Sequence, residues 1–207
     1  MRRETLLKIV GMMRKELGKR MTILGISKKL KIGYRPAYNH IIGMEKEGII
    51  KTEKIGNTRQ CSLNLGNPKC RNILEEIDAS RKEEIYRKNP KLKAVLENLI
   101  STLTETFISE IHSIILFGSY AKGSEIKTSD IDLLFIVTDM KNKSLREGTE
   151  RESASYVYSH NVRISPLITD IPEFKKMLNA KELSVGKETR EYGISLYGSE
   201  MFWRLVS

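Results

Sequence analysis

The chain has 207 residues, of which 40% are hydrophobic and 30% charged, and its 36 Lys/Arg against 26 Asp/Glu give a formal net charge of +10. No apolar run approaches the roughly 20 residues that span a bilayer. The two cysteines, Cys61 and Cys70, make neither a disulfide framework nor the paired Cys/His spacing of a structural zinc site. These numbers exclude a membrane-spanning or disulfide-stapled class and predict a soluble, cytoplasmic, globular protein, better divided into two small domains than built as one.

The charge is segregated. Residues 1–66 carry 15 Lys/Arg and 5 acids, whereas the remainder carries 21 of each, so the expected footprint for a polyanion lies in the first third. The opening stretch, MRRETLLKIVGMMRKELGKR, is basic and then alternates apolar with charged residues at helical spacing. A secretory signal has an unbroken apolar core instead, so this stretch belongs to the fold.

Leu6, Ile9, Val10, Met13 and Leu17 recur at three- and four-residue steps, which predicts a helix over 4–17. Met21–Leu24 reads as a short strand or cap, 26–30 as a second helix, and Gly33 as the bend after it. Arg35-Pro36 opens a third helix reaching Glu47, with Ala37, Ile41 and Met44 inward and Tyr34, Arg35, Tyr38, Asn39 and Ile42 nearer the outward face. Gly48 ends it, and strands over 49–55 and 59–65 flank the turn Gly56-Asn57-Thr58.

This order, with KIGYRPAYNHIIGMEKEGII inside it, resembles the winged helix-turn-helix transcription regulators of prokaryotes over residues 1–66. The resemblance implies DNA as partner. Arg35, Tyr38, Asn39 and His40 would face base edges or phosphates from the third helix, and Lys54 and Arg59 would flank the wing tip. A winged helix that only dimerises or packs on its neighbour is the competing reading, and a homodimer is left open.

Residues 67–108 read as a helical connection, with one helix over 72–86, a break at Asn89-Pro90 and a second helix over 92–107. The expected third part is an α/β domain over 109–207.

Ile111–Phe117 is a β-branched apolar run of strand length that stops at Gly118-Ser119. A short helix over Tyr120–Gly123 follows, so backbone amides of the turn are placed to meet a phosphate, and Gly118 allows close approach. Eleven residues after Ser119 comes Ser129-Asp130-Ile131-Asp132, entering the apolar strand Leu133–Val137. Two-residue spacing puts the Asp130 and Asp132 carboxylates on one strand face, where a hard divalent cation is their natural counter-charge.

The pattern LFGSYAKGSEIKTSDIDLLFIV resembles the signature of the polymerase-beta-like nucleotidyltransferase superfamily, especially its minimal branch. The resemblance implies that Gly118 and Ser119 hold the triphosphate of an NTP such as ATP, and that Asp130 and Asp132 bind Mg²⁺ and are the catalytic pair. That family commonly adds a third carboxylate on a neighbouring strand, expected here at 162–168, where the register falls on Ser165; Asp170 is the nearest acid. Beyond that strand, helices are expected over 144–158, 172–178, 182–192 and 201–206, with Phe202 and Trp203 as packing residues.

Three functions compete. The first is a metal-dependent nucleotidyltransferase with a DNA-binding winged helix. The second is a transcription regulator whose degenerate nucleotidyltransferase domain binds nucleotide without turnover, and the third is a toxin–antitoxin role with a protein partner.

Overall fold

The computed structural model describes residues 3–207 and divides into two compact units, one ending at Ile77 and the other running Asp78–Val206. Among the described residues no helix is long and apolar enough to cross a membrane.

The first unit contains α1 (Arg3–Arg14), β1 (Met21–Thr22), α2 (Ile23–Leu30), α3 (Tyr34–Lys46), β2 (Ile50–Ile55) and β3 (Thr58–Leu63). Its strands form an antiparallel sheet in the order β1-β3-β2. Leu6, Ile9, Val10 and Met13 of α1 and Ala37, Ile41 and Met44 of α3 are buried, as their periodicity predicts, and Ile26 of α2 is buried as well; α1 ends at Arg14, so Leu17 lies beyond it rather than on the helix expected over 4–17. The Thr22 side chain accepts from Gly25 N at 3.0 Å and starts α2, supplying an acceptor for an otherwise orphaned amide.

The bend after α2 corrects the expectation. Lys31, not Gly33, takes the left-handed conformation at φ 53°, while Gly33 precedes α3 at an ordinary φ of −60°. The amides of Lys31 and Ile32 donate back to Lys28 O at 3.2 Å and Ser27 O at 3.1 Å, and the Ser27 hydroxyl donates to Ile32 O at 2.7 Å. These three bonds offset the ~1–2 kcal/mol cost of a left-handed non-glycine residue. In the hairpin the connection is two residues, and Gly56 takes the positive φ of 57°.

Residues 67–108 form α4 (Pro68–Lys88) and α5 (Pro90–Thr106), separated at Asn89, whose side chain accepts from Leu92 N at 3.0 Å and caps α5. Leu92, Val95, Leu96, Leu99 and Leu103 of α5 are buried in the core of the second unit.

The second unit is mixed α/β. After α5 come β4 (Ile111–Phe117), α6 (Gly118–Lys122), β5 (Ile131–Val137), α7 (Lys143–His160), β6 (Ile164–Asp170), α8 (Ile171–Asn179), α9 (Val185–Tyr192), β7 (Ile194–Tyr197) and α10 (Ser199–Val206). The sheet order is β6-β5-β4-β7, with β5 and β6 parallel and the other pairs antiparallel. Central β5 is buried along its length apart from Asp132, as its unbroken apolar run requires. Strand β7 is absent from the elements expected of the sequence. Phe202 and Trp203 are fully buried and pack edge to face with ring centroids 5.0 Å apart.

Candidate active site and nucleic-acid interface

Antiparallel pairing of β4 with β5 sets Phe117 opposite Asp132, and parallel pairing of β5 with β6 sets Asp132 beside Ser165. The last residue of β4, the first residues of β5 and the first of β6 therefore share one end of the sheet. Chain direction reverses sharply there: Gly118 has φ +69°, and a Cβ on it would overlap the Asp132 carboxylate. Only a glycine lets the turn backbone lie against that acid.

Helix α6 closes at Gly123, whose φ of 70° lets its amide donate to Tyr120 O at 3.3 Å while Ser124 N donates to Ser119 O at 3.0 Å. The following loop is pinned reciprocally. Ile126 N donates to the Ser129 hydroxyl and Ser129 N to Ile126 O, both at 2.9 Å. Ile131 N then donates to Arg163 O at 2.8 Å and locks the start of β5 to β6. Asp130 is thereby delivered to the edge of the site, with its Oδ2 3.8 Å from Arg163 Nε.

Burial raises the Asp132 carboxyl above its usual range, and the neighbouring Asp130 and Glu188 carboxylates push it further, against a lowering influence from Lys122. Acids crowded in this way favour a counter-cation. Two carboxylates make an all-oxygen donor set that suits a small divalent ion sharing phosphate oxygens. Among the described residues no three or more His, Cys, Asp or Glu side chains cluster as an all-protein metal cage.

Ser165 is exposed and occupies the register position where a third acid is expected. Asp170 pairs in register with Val137, five residues further along β5, which places it roughly 17 Å from the Asp132 end. It is occupied as the cap of α8, accepting from Glu173 N at 2.9 Å.

Sequence reasoning missed Glu188. This residue of α9 binds Lys122 Nζ at 2.7 Å, and the same ammonium lies 5.8 Å from the Tyr192 ring centroid. Lys122 is thus held between two residues of one helix face. No motif marks Glu188 in the sequence; the only signal is its four-residue spacing from Tyr192.

A family model described as a nucleotidyltransferase domain matches residues 96–192. The chain is 30% identical over 115 residues to a Methanocaldococcus jannaschii protein named "Putative protein adenylyltransferase MJ1305", covering 55% of this chain and 76% of that protein. The chain belongs to the nucleotidyltransferase domain family. A second protein of that organism, named "Putative protein adenylyltransferase MJ0141", is 28% identical over 97 residues, covering 47% of this chain and 87% of that one. A solved structure described as a toxin–antitoxin with AMP-PNP aligns at 20% identity and a TM-score of 0.35, over 53% of this chain and 82% of that chain. Gly118, Ser119, Asp130 and Asp132 all lie within the stretch that the nucleotidyltransferase model matches.

In the first unit, Tyr34, Arg35, Tyr38 and Asn39 lie exposed on α3, and the two tyrosine rings are 6.3 Å apart. His40 is half-buried. Lys54 and Arg59 are direct cross-strand partners next to the hairpin tip. Arg59 is partly neutralised by Glu45 at 3.3 Å. Two cations facing each other across a strand pair repel, a cost that an anion bound there removes.

Proposed function

We propose that this nucleotidyltransferase-family chain transfers a nucleotidyl group from an NTP with Mg²⁺ to an acceptor hydroxyl, and that its basic first unit is a winged helix that binds DNA. The names of its relatives make ATP the nucleotide and a protein hydroxyl the acceptor to test first. The observation that carries this reading is the Gly118 turn backed directly onto Asp132, an arrangement that would bring backbone amides and an acid together beside the α-phosphate of a bound NTP.

Gly118 and Ser119 offer backbone amides and a hydroxyl to the triphosphate, and Asp130 and Asp132 would hold the cation. When bound, the cation supplies charge neutralisation on the reacting and leaving oxygens. Attack of the acceptor oxygen on the α-phosphorus forms the new ester bond, expels pyrophosphate and releases the acceptor proton. Nucleotidyl transfer asks chiefly for positioning and charge stabilisation, which a rigid turn and two carboxylates provide.

Incubation with ATP labelled at the α- or the γ-phosphate tests the reading. Label retained on an acceptor from the α position alone supports nucleotidyl transfer; transfer of γ label alone makes the protein a kinase and overturns it.

One observation favours a second reading. Ser165, standing beside Asp132, brings no charge to the position of the third acid, so a domain that binds NTP without turnover and alters DNA affinity is the alternative. Metal-dependent ATP binding without transfer to the chain itself, DNA, RNA or a partner protein of toxin–antitoxin type would select it.

A further inference from the structure

Arg81 lies in the helix expected over 72–86 and carries no motif in the sequence. In the structure its guanidinium donates to three backbone carbonyls: Nη2 to Ala121 O at 2.8 Å and to Tyr192 O at 2.8 Å, and Nη1 to Gly193 O at 3.0 Å. We propose that Arg81 is a positioning residue of the nucleotidyltransferase site, clamping the ends of α6 and α9 so that Gly118 stays against Asp132 and Glu188 stays on Lys122. This inference rests on the functional reading above.

The carbonyls at the end of a helix have no partner within it. In α6 the closing turn satisfies Ser119 O and Tyr120 O through the amides of Ser124 and Gly123, and Arg81 takes the next carbonyl, that of Ala121. The five residues of α6 have too few internal bonds to hold a helix independently, so an external partner at its end governs where its first residue lies. The other two acceptors close α9, immediately before β7. One planar fork thus joins the two elements that carry Lys122 and Glu188, whose charges act on Asp132. A lysine, carrying a single point of charge, cannot span three such acceptors in the same way.

The clamp is itself anchored. Asp78, 1% exposed, lies 3.9 Å from Arg81 Nη1 and accepts from Trp203 Nε1 at 3.1 Å, and Trp203 is fully buried. A cation aimed only at strengthening a helix end does not need a buried carboxylate behind it. The buried Asp78 and Trp203 determine the direction of the guanidinium, and the guanidinium determines the position of α6.

The test uses the full chain and two readouts, hydrogen exchange and ATP titration in the presence of Mg²⁺. In R81K, the Gly123 and Ser124 amides that close α6 should exchange about tenfold faster while those of 133–137 in β5 stay unchanged, and ATP affinity should fall by about tenfold, the scale of one lost charge-assisted bond. Millimolar guanidinium ion should restore part of the ATP affinity of R81A, a recovery that a merely destabilised fold would not show; should R81A fail to fold, R81K carries the test. Wild-type exchange at Gly123 and Ser124 in R81K overturns the clamp whether or not nucleotide binds. Wild-type protein that binds ATP, with R81K binding it equally well, overturns the role of Arg81 alone. Wild-type protein that binds no ATP overturns the underlying reading and this proposal together.

Discussion

Replacing Gly118 by alanine isolates the contact on which the site is built, because Gly123 provides a control with the same backbone and a different surrounding. Both glycines have φ near +70°, but a Cβ at Gly123 meets nothing within 4 Å, whereas one at Gly118 would overlap the Asp132 carboxylate, lying 2.9 Å from Cγ. Gly123→Ala should lose only the ~1–2 kcal/mol of a left-handed alanine. Gly118→Ala adds the displacement of Asp132, on the overpacking scale of ~1–3 kcal/mol, for a total of roughly 2–5 kcal/mol. At ~3–5 °C per kcal/mol for a unit of this size, melting should fall by roughly 6–25 °C in Gly118→Ala and by roughly 3–10 °C in Gly123→Ala, the larger fall always in Gly118→Ala. A shift of ~1 Å in a reacting group costs ~100-fold in rate, so nucleotidyl transfer should drop by about that factor in Gly118→Ala and stay near wild type in Gly123→Ala. Differential scanning calorimetry and a labelled-ATP transfer assay read both effects. Two variants equal in melting and in transfer would refute the claim that Gly118 is required by Asp132.

Other outcomes follow from the same geometry. Asp132→Asn should raise the melting temperature at neutral pH while abolishing metal-dependent transfer, because burial, Asp130 and Glu188 all oppose the Asp132 charge; a lower melting temperature contradicts that electrostatic account. Burial pushes the Cys61 and Cys70 thiols from 9.0 up to about 11. Their folded values exceed the unfolded ones, so their contribution to stability is complete below pH ~9 and is lost as pH rises toward 11. Alkaline melting curves should fall across that window, and Cys→Ser variants of both should flatten the fall. For the first unit, a Lys54→Ala, Arg59→Ala variant should bind DNA more weakly at every sequence and reduce the slope of log affinity against log salt by up to about 2; an unchanged slope in a gel-shift series removes the hairpin from the interface.

The parts of the fold that were legible in the sequence are those where one local pattern decides. Ile111–Phe117 and the run ending at Val137 are strands because neither offers a polar face, and Gly118 marks the turn by type; Asp132 lies in β5, whereas Asp130 precedes its first residue and so is not on the strand that the two-residue spacing presumes. Helix faces such as Ala37, Ile41 and Met44 were equally readable, since 3.6-residue periodicity leaves one inward stripe. Features fixed by distant partners were not. Strand β7 has four residues and exists because it pairs with β4. Lys31 replaced Gly33 as the left-handed residue because the closing bonds of α2, not residue preference, fix the bend. Glu188 and Arg81 reach the neighbourhood of the site from α9 and α4, whose own sequences carry no catalytic pattern.

The central claim is that Asp130 and Asp132 support metal-dependent nucleotidyl transfer. Pyrophosphate release from ATP should be followed over a Mg²⁺ titration in the wild type and in the Asp130→Asn, Asp132→Asn double variant, with melting curves to confirm that both are folded. Release that rises with Mg²⁺ in the wild type and is absent from the folded double variant is the predicted result; equal release from both would contradict the assignment of the two carboxylates.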